Sequence, residues 1–202
     1  MPDAATTDPT RDLPEVVRAA AAGELPPWAE AGPRRRAHIA RVSALLAEWA
    51  ATAGLDPAER DRWVAAGWLH DALREADPER LRAAVPERFR SLPGAILHGP
   101  AVAERLAGVA DPELCDALRY HTLGWAGFGR LGKALYLADF LEPGRDFERE
   151  WRASLAARMP AEMDEVLVEV LGARIRNLVE RRRPLSAETA AFWSAAVGGE
   201  SR

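Results

Sequence analysis

The chain has four histidines, His38, His70, His98 and His121, and the pattern around each can be read for chemistry. His38 is followed by Val42, Leu45 and Trp49 at spacings of four, three and four, so it lies on the apolar stripe of a helix. Leu114, Ala117, Leu118 and His121 repeat that pattern, and Leu131, Leu135 and Asp139 share a face at spacings of four. His98 precedes Gly99-Pro100, which reads as a cap and first helical residue and puts His98 at a helix start. His70 and Asp71 stand side by side in GWLHDALRE (67–75), a stretch that reads as the middle of a buried helix.

A single histidine on an apolar face is ordinarily a hydrogen-bonded core residue. A buried carboxylate is harder to accommodate, because it costs several kcal/mol, roughly, unless it is paired or bound to metal. Neither Asp71 nor Asp139 has an Arg or Lys four residues away on its own face. Taken together, the histidines and these aspartates are what a nitrogen and oxygen metal site requires. The single Cys115 excludes a thiolate site and a disulfide framework. The set is larger than the three protein ligands of a catalytic zinc. It suits two ions with open positions. Adjacent helical side chains diverge by about 100°, which lets His70 serve one ion while the Asp71 carboxylate bridges both.

These groups must be positioned by helices. Asp56-Pro57, Asp77-Pro78 and Asp111-Pro112 each read as an N-cap followed by proline in the first turn. Glu59 comes close to completing a capping box with Asp56. Gly54, Gly108 and Gly124 read as helix stops. The expected map is a tail to about residue 12, a short helix over 13–22, and helices near 34–53, 57–75, 78–84, 100–107, 112–122 and 130–142. A segment at 146–158, a long helix at 161–182 and a last one at 187–197 follow. No alternating β-branched run is found. The expected fold is all-α, a single helical bundle around a dinuclear metal site. Its parts are an N-terminal tail and short helix over 1–30, the main domain over 31–185, and a C-terminal helix and tail over 186–202.

A formal charge of −4 and a pI near 5.7 argue against a nucleic-acid or membrane-surface binder. There is no run of apolar residues long enough to span a bilayer and no signal-peptide pattern, so a cytoplasmic protein is expected. GWAGFGR (124–130) lacks a preceding strand and the Lys-Ser/Thr of a P-loop. Lys133 is the single lysine among 27 Lys and Arg residues, which suggests a place where a compact ammonium fits and a guanidinium does not.

The order His38, His70-Asp71, His98, His121, Asp139 resembles the HD-domain metal-dependent phosphohydrolases in their dinuclear form. LHGPAVAERL (97–106), RYHTLG (119–124) and KALYLADFLEPGRDF (133–147) look like the YqeK-type symmetrical bis(5'-nucleosyl)-tetraphosphatases, over roughly residues 34 to 185. The resemblance implies that His38, His70, Asp71, His98, His121 and Asp139 ligate two divalent ions, iron by resemblance, with manganese, nickel and zinc open on ligand chemistry. It implies a symmetrical cut of diadenosine tetraphosphate into two ADP by metal-activated hydroxide, with Asp71 as bridging ligand and Asp71, His70 and Lys133 as catalytic residues. Lys133, Arg145, Thr122, Gly124 and Arg74 are then the expected substrate contacts.

Two departures from the family bear on substrate preference. Arg74 stands where a lysine is usual, and Leu123 where a second threonine is usual. Trp125 is the expected adenine-stacking residue, Trp49, Trp63 and Trp68 are expected in the core, and Arg34 to Arg36 on an exposed helix face, with phosphate contact as the alternative. The expected partner is a dinucleoside polyphosphate, with a homodimer left open. Competing expectations are action on another nucleotide (a monophosphate or an alarmone) and a metal-stabilised nucleotide-sensing module without turnover.

Overall fold

Three aspartates start three helices in the same way. Asp56 accepts from the Glu59 backbone N–H, Asp77 from Glu79 and Arg80, and Asp111 from Leu114, each with proline in the first turn. The capping box at Asp56 is not closed, because the Glu59 carboxylate turns instead to Trp63 Nε1 (3.0 Å) and to Arg62. In the computed structural model, which describes residues 12–198, the helices are α1 (Glu15–Ala21), α2 (Pro33–Thr52), α3 (Pro57–Leu69), α4 (Pro78–Ala84) and α5 (His98–Leu106). They continue with α6 (Pro112–Tyr120), α7 (Arg130–Leu141), α8 (Arg149–Ala156), α9 (Met163–Glu180) and α10 (Ala187–Gly198). No strand occurs among the described residues, and none of their helices is long and apolar enough to cross a membrane. The tail expected at the N-terminus lies outside the described residues up to position 11, as do residues 199–202.

Helix α7 is the centre of the bundle. Leu131, Ala134, Leu135, Tyr136, Leu137 and Ala138 are all fully buried, so it is enclosed over most of its circumference. Around it pack α2, α3, α6, α8 and α9, while α1 lies on α3 and α10 on α9. Helices α2 and α3 cross closely at Gly67, where a Cβ would lie 2.6 Å from Ser43 Cα, and Ser43 Oγ donates to Val64 O across the same crossing (2.9 Å). Trp49 and Trp63 are core residues as expected, whereas Trp68 is half-buried and covers Gly23.

Two helices end earlier than their sequence pattern suggests. α3 stops at Leu69 rather than continuing to residue 75, because the backbone beyond it bonds to a distant segment. Ala72 O accepts from Glu30 N–H (2.7 Å) and Glu75 N–H donates to Glu30 O (3.3 Å). α6 stops at Tyr120, whose carbonyl accepts from Gly124 N–H (2.7 Å). α5 begins at His98 itself, with Leu97 and not Gly99 as its cap, after short 3-10 turns at Glu87–Phe89 and Gly94–Ile96. The His-Asp pair therefore sits in a turn at a helix end, not within a helix.

Candidate metal centre

Two of the four imidazoles follow helix C-termini, where backbone carbonyls lack intrahelical partners, and a third opens a helix. His70 follows α3 with Nδ1 2.7 Å from Gly67 O, and His121 follows α6 with Nδ1 2.8 Å from Leu118 O. His98 opens α5 with Nδ1 3.1 Å from Ala95 O. A carbonyl only accepts, so each Nδ1 carries the proton and each Nε2 presents a lone pair. His38 lies within α2, and its Nδ1 is 3.1 Å from Glu142 Oε1. That carboxylate is nearly fully buried and also accepts from Arg41 Nε (2.5 Å) and Gly144 N–H (2.7 Å).

The Nε2 atoms converge in pairs. His38 and His70 approach to 3.4 Å, and His98 and His121 to 3.1 Å. Asp71 lies between the pairs. Its Oδ2 is 3.6 Å from His38 Nε2 and 3.5 Å from His70 Nε2, while Oδ1 is 3.0 Å from His98 Nε2 and 3.7 Å from His121 Nε2. Asp139 Oδ1 closes the first set, 3.1 Å from His38 Nε2. Imidazole lone pairs facing one another repel unless a cation or proton lies between them, so the donor set fits divalent metal. His38, His70 and Asp71 form one such group, and Asp71, His98 and His121 another.

Burial and the facing carboxylates set the protonation of these groups. Burial draws the His70 imidazole down to about 4, reinforced by His121 and opposed by Asp71, so it is neutral at pH 7. Burial would raise Asp71, but His70, His121 and His98 outweigh it and hold the carboxyl well below its usual range. Asp139 is lowered in the same way, burial being outweighed by His38 and Arg145. For His38, burial is outweighed by hydrogen bonds to Asp139 and Glu142, which lift it to about 8. A metal at His38 therefore displaces a proton.

A cavity of about 350 Å³ opens over this cluster, and four arginines line it: Arg35, Arg74, Arg145 and Arg174. Arg35 donates to Asp71 Oδ2 (2.6 Å). Arg145 donates to Asp139 O (2.7 Å) and pairs with its Oδ1. Arg174 donates to Thr122 O (2.8 Å), with its guanidinium 4.6 Å from the Tyr136 ring centroid. Thr122 also lines the cavity, with Oγ1 3.1 Å from His121 Nε2.

The structure thus brings together His38, His70, Asp71, His98, His121 and Asp139, with Thr122, Arg74 and Arg145 on the same cavity. It places other expected residues elsewhere. Lys133 does not line the cavity; its ammonium pairs with Asp164 on α9 (2.7 Å), six positions before Asp139 and off its face. Gly124 turns the chain with φ +80° and lies against Phe192 of α10, so its role is to let that helix pack. Trp125 stacks on Tyr120 (5.4 Å) and lines a separate cavity. The two aspartates are not without cationic partners, since Arg35 and Arg145 reach them through the fold. Arg35 is accordingly not on an exposed face. Sequence reasoning missed Arg35, Arg174 and Glu142. Glu142 lies three residues after Asp139, a spacing from which it could have been found.

A family model described as "HD domain" matches residues 35–172, spanning all six of these histidines and aspartates. The chain belongs to the HD-domain family. This HD-domain protein is 30% identical over 126 residues to "Bis(5'-nucleosyl)-tetraphosphatase, symmetrical" of Bacillus subtilis, covering 62% of this chain and 64% of that one. A protein of the same description from Halalkalibacterium halodurans is 24% identical over 145 residues, covering 68% and 76%, and one from Staphylococcus aureus 34% over 88, covering 40% and 45%. The matched region is thus just under two thirds of the B. subtilis relative. In fold, the HD-domain chain is similar to a crystal structure described as a predicted HD superfamily hydrolase involved in NAD metabolism from Clostridium acetobutylicum. The TM-score is 0.72, at 21% identity over 83% of this chain and 91% of that one.

Proposed function

We propose that this HD-domain protein is a hydrolase of dinucleoside polyphosphates that cleaves diadenosine tetraphosphate symmetrically into two ADP. Its centre is read as two divalent ions, with iron as the metal. The observation that carries the reading is the division of Asp71, whose two oxygens each face their own pair of imidazole Nε2 atoms. His38, His70 and Asp139 would hold one ion, His98 and His121 the other, and Asp71 both. Such a pair supplies Lewis-acid charge at phosphoryl oxygens and lowers the pKa of water.

The chain's own residues do the rest. The Nδ1 protons are held by carbonyls and by Glu142, which fixes each ring and keeps Nε2 free. Four guanidiniums face two carboxylates in the cavity, leaving a surplus of positive charge before any metal is counted. That surplus favours a polyphosphate over a monophosphate. With Asp71 and Asp139 holding metal, Arg35 and Arg145 would stand beside the cavity to bind and orient phosphate oxygens. The Thr122 hydroxyl is placed to donate to an oxygen beside His121.

Incubating iron-loaded protein with diadenosine tetraphosphate and resolving the products tests the reading. ADP alone, lost in Asp71→Ala, is the expected result. ATP plus AMP would refute the symmetrical cut while leaving the metal centre in place.

A further inference from the structure

Among the described residues Phe147 is the one exposed aromatic side chain, with 45% of its surface open. Isolated exposed apolar residues are ordinary, and Val109, Val179 and Leu185 are of that kind, lining no part of the cavity. Phe147 differs because it stands on the cavity wall, together with Phe140.

Its placement is also held from beneath. Arg152 is buried, and its guanidinium donates to Phe140 O (2.9 Å), Glu142 O, Arg145 O (3.0 Å) and Phe147 O (3.3 Å). One cation thereby fastens the loop between α7 and α8 at three points and ties it to the last turn of α7. The same guanidinium lies 4.9 Å from the centroid of the Phe147 ring, and Phe140 meets the ring edge-on at 5.5 Å. The ring is fixed on its inner side, and what remains exposed is at the mouth of a cavity lined by arginines. Arg145 belongs to the same loop, at most about 7 Å of backbone away.

We propose that Phe147 is the platform on which the nucleobase stacks when the phosphates of the same nucleotide meet Arg145, with Arg152 as the positioning residue for both. The inference rests on the nucleotide reading above and names the part of the site that recognises the base. A half-exposed aromatic ring with a cation held over it, on the wall of the cavity, suits stacking with an aromatic heterocycle. It makes Phe147 a determinant of preference for nucleotides over base-free phosphate chains.

Calorimetric titration of the metal-loaded protein with ADP and with inorganic pyrophosphate tests this, using wild type, Phe147→Ala and Phe147→Trp. Thermal melts check that each variant folds, which the exposed position favours. The expected result is a wild type that prefers ADP to pyrophosphate. Phe147→Ala should weaken ADP by about 5- to 100-fold with pyrophosphate affinity unchanged, and Phe147→Trp should retain ADP binding. If Phe147→Ala leaves ADP affinity intact, or weakens both ligands equally, the platform is refuted and the nucleotide reading stands. If the wild type shows no preference for ADP over pyrophosphate, the nucleotide reading falls and the platform with it.

Discussion

Replacing Gly67 with alanine would test whether the α2–α3 crossing sets the metal geometry. The new Cβ would lie 2.6 Å from Ser43 Cα, 2.9 Å from Ser43 Cβ and 3.0 Å from Ser43 N. Carbon contacts are comfortable at about 3.5–4.0 Å, and the listener on the other side is backbone, which cannot rotate away. The helices must therefore part by about 1 Å. Overpacking of this kind costs about 1–3 kcal/mol, while alanine regains about 1 kcal/mol of helix propensity. Gly172→Ala in α9 supplies the control, because its Cβ would meet only Trp193 at 3.7 Å. It receives the same propensity gain without the clash, so the difference between the two variants isolates the crossing at about 1–3 kcal/mol. In a domain of this size that is about 2–4 °C of melting temperature per kcal/mol, read by thermal denaturation in chelator so that metal contributes nothing. The second readout is metal affinity. His38 rides on α2 and His70 on the end of α3, with Nε2 atoms 3.4 Å apart, and ligand distances tolerate only about 0.2 Å. Affinity should fall with stability. A Gly67→Ala protein that melts with Gly172→Ala refutes the clash, and one that is destabilised yet binds metal normally refutes the link between crossing and site.

Glu142→Gln keeps the shape beside His38 but removes the charge that orients the ring, and should weaken metal binding by about 10- to 100-fold, measured by competition with a chromophoric chelator. Adding metal at about 100 times its dissociation constant should stabilise the apoprotein by about 2.7 kcal/mol, seen as a rise of the melting temperature; no shift would mean that the converging lone pairs do not bind metal. Lys133→Ala should leave nucleotide affinity unchanged and stability within about 1 kcal/mol, since its partner Asp164 is solvent-exposed. A large loss of nucleotide binding would return Lys133 to the site.

What was legible in the sequence depended on rarity and on local chemistry. Asp-Pro starts and glycine stops are decided within a few residues, and the helices they bound were found close to where they lie. Histidine is scarce in this chain, so four of them at patterned positions stood out. Arginine is abundant, and no local feature separates Arg35 or Arg174 from arginines on the surface; only the packing of α2 and α9 against the cavity does so. Lys133 misled for the opposite reason. It is unique in type, but its face of α7 is turned toward α9. The early ends of α3 and α6 were likewise hidden, because the bonds that stop α3 come from Glu30, some forty residues away.

Those early ends are what make the centre rigid. A histidine in mid-helix points its ring wherever packing allows, as His38 does, and needs a separate carboxylate, Glu142, to fix it. A histidine at a helix end finds a carbonyl already lacking a partner, three residues back, and satisfies it with Nδ1. The same bond closes the helix and commits Nε2 to the interior. The two roles are linked, because the Nδ1 bonds at the ends of α3 and α6 also turn Nε2 toward groups that could hold a metal ion.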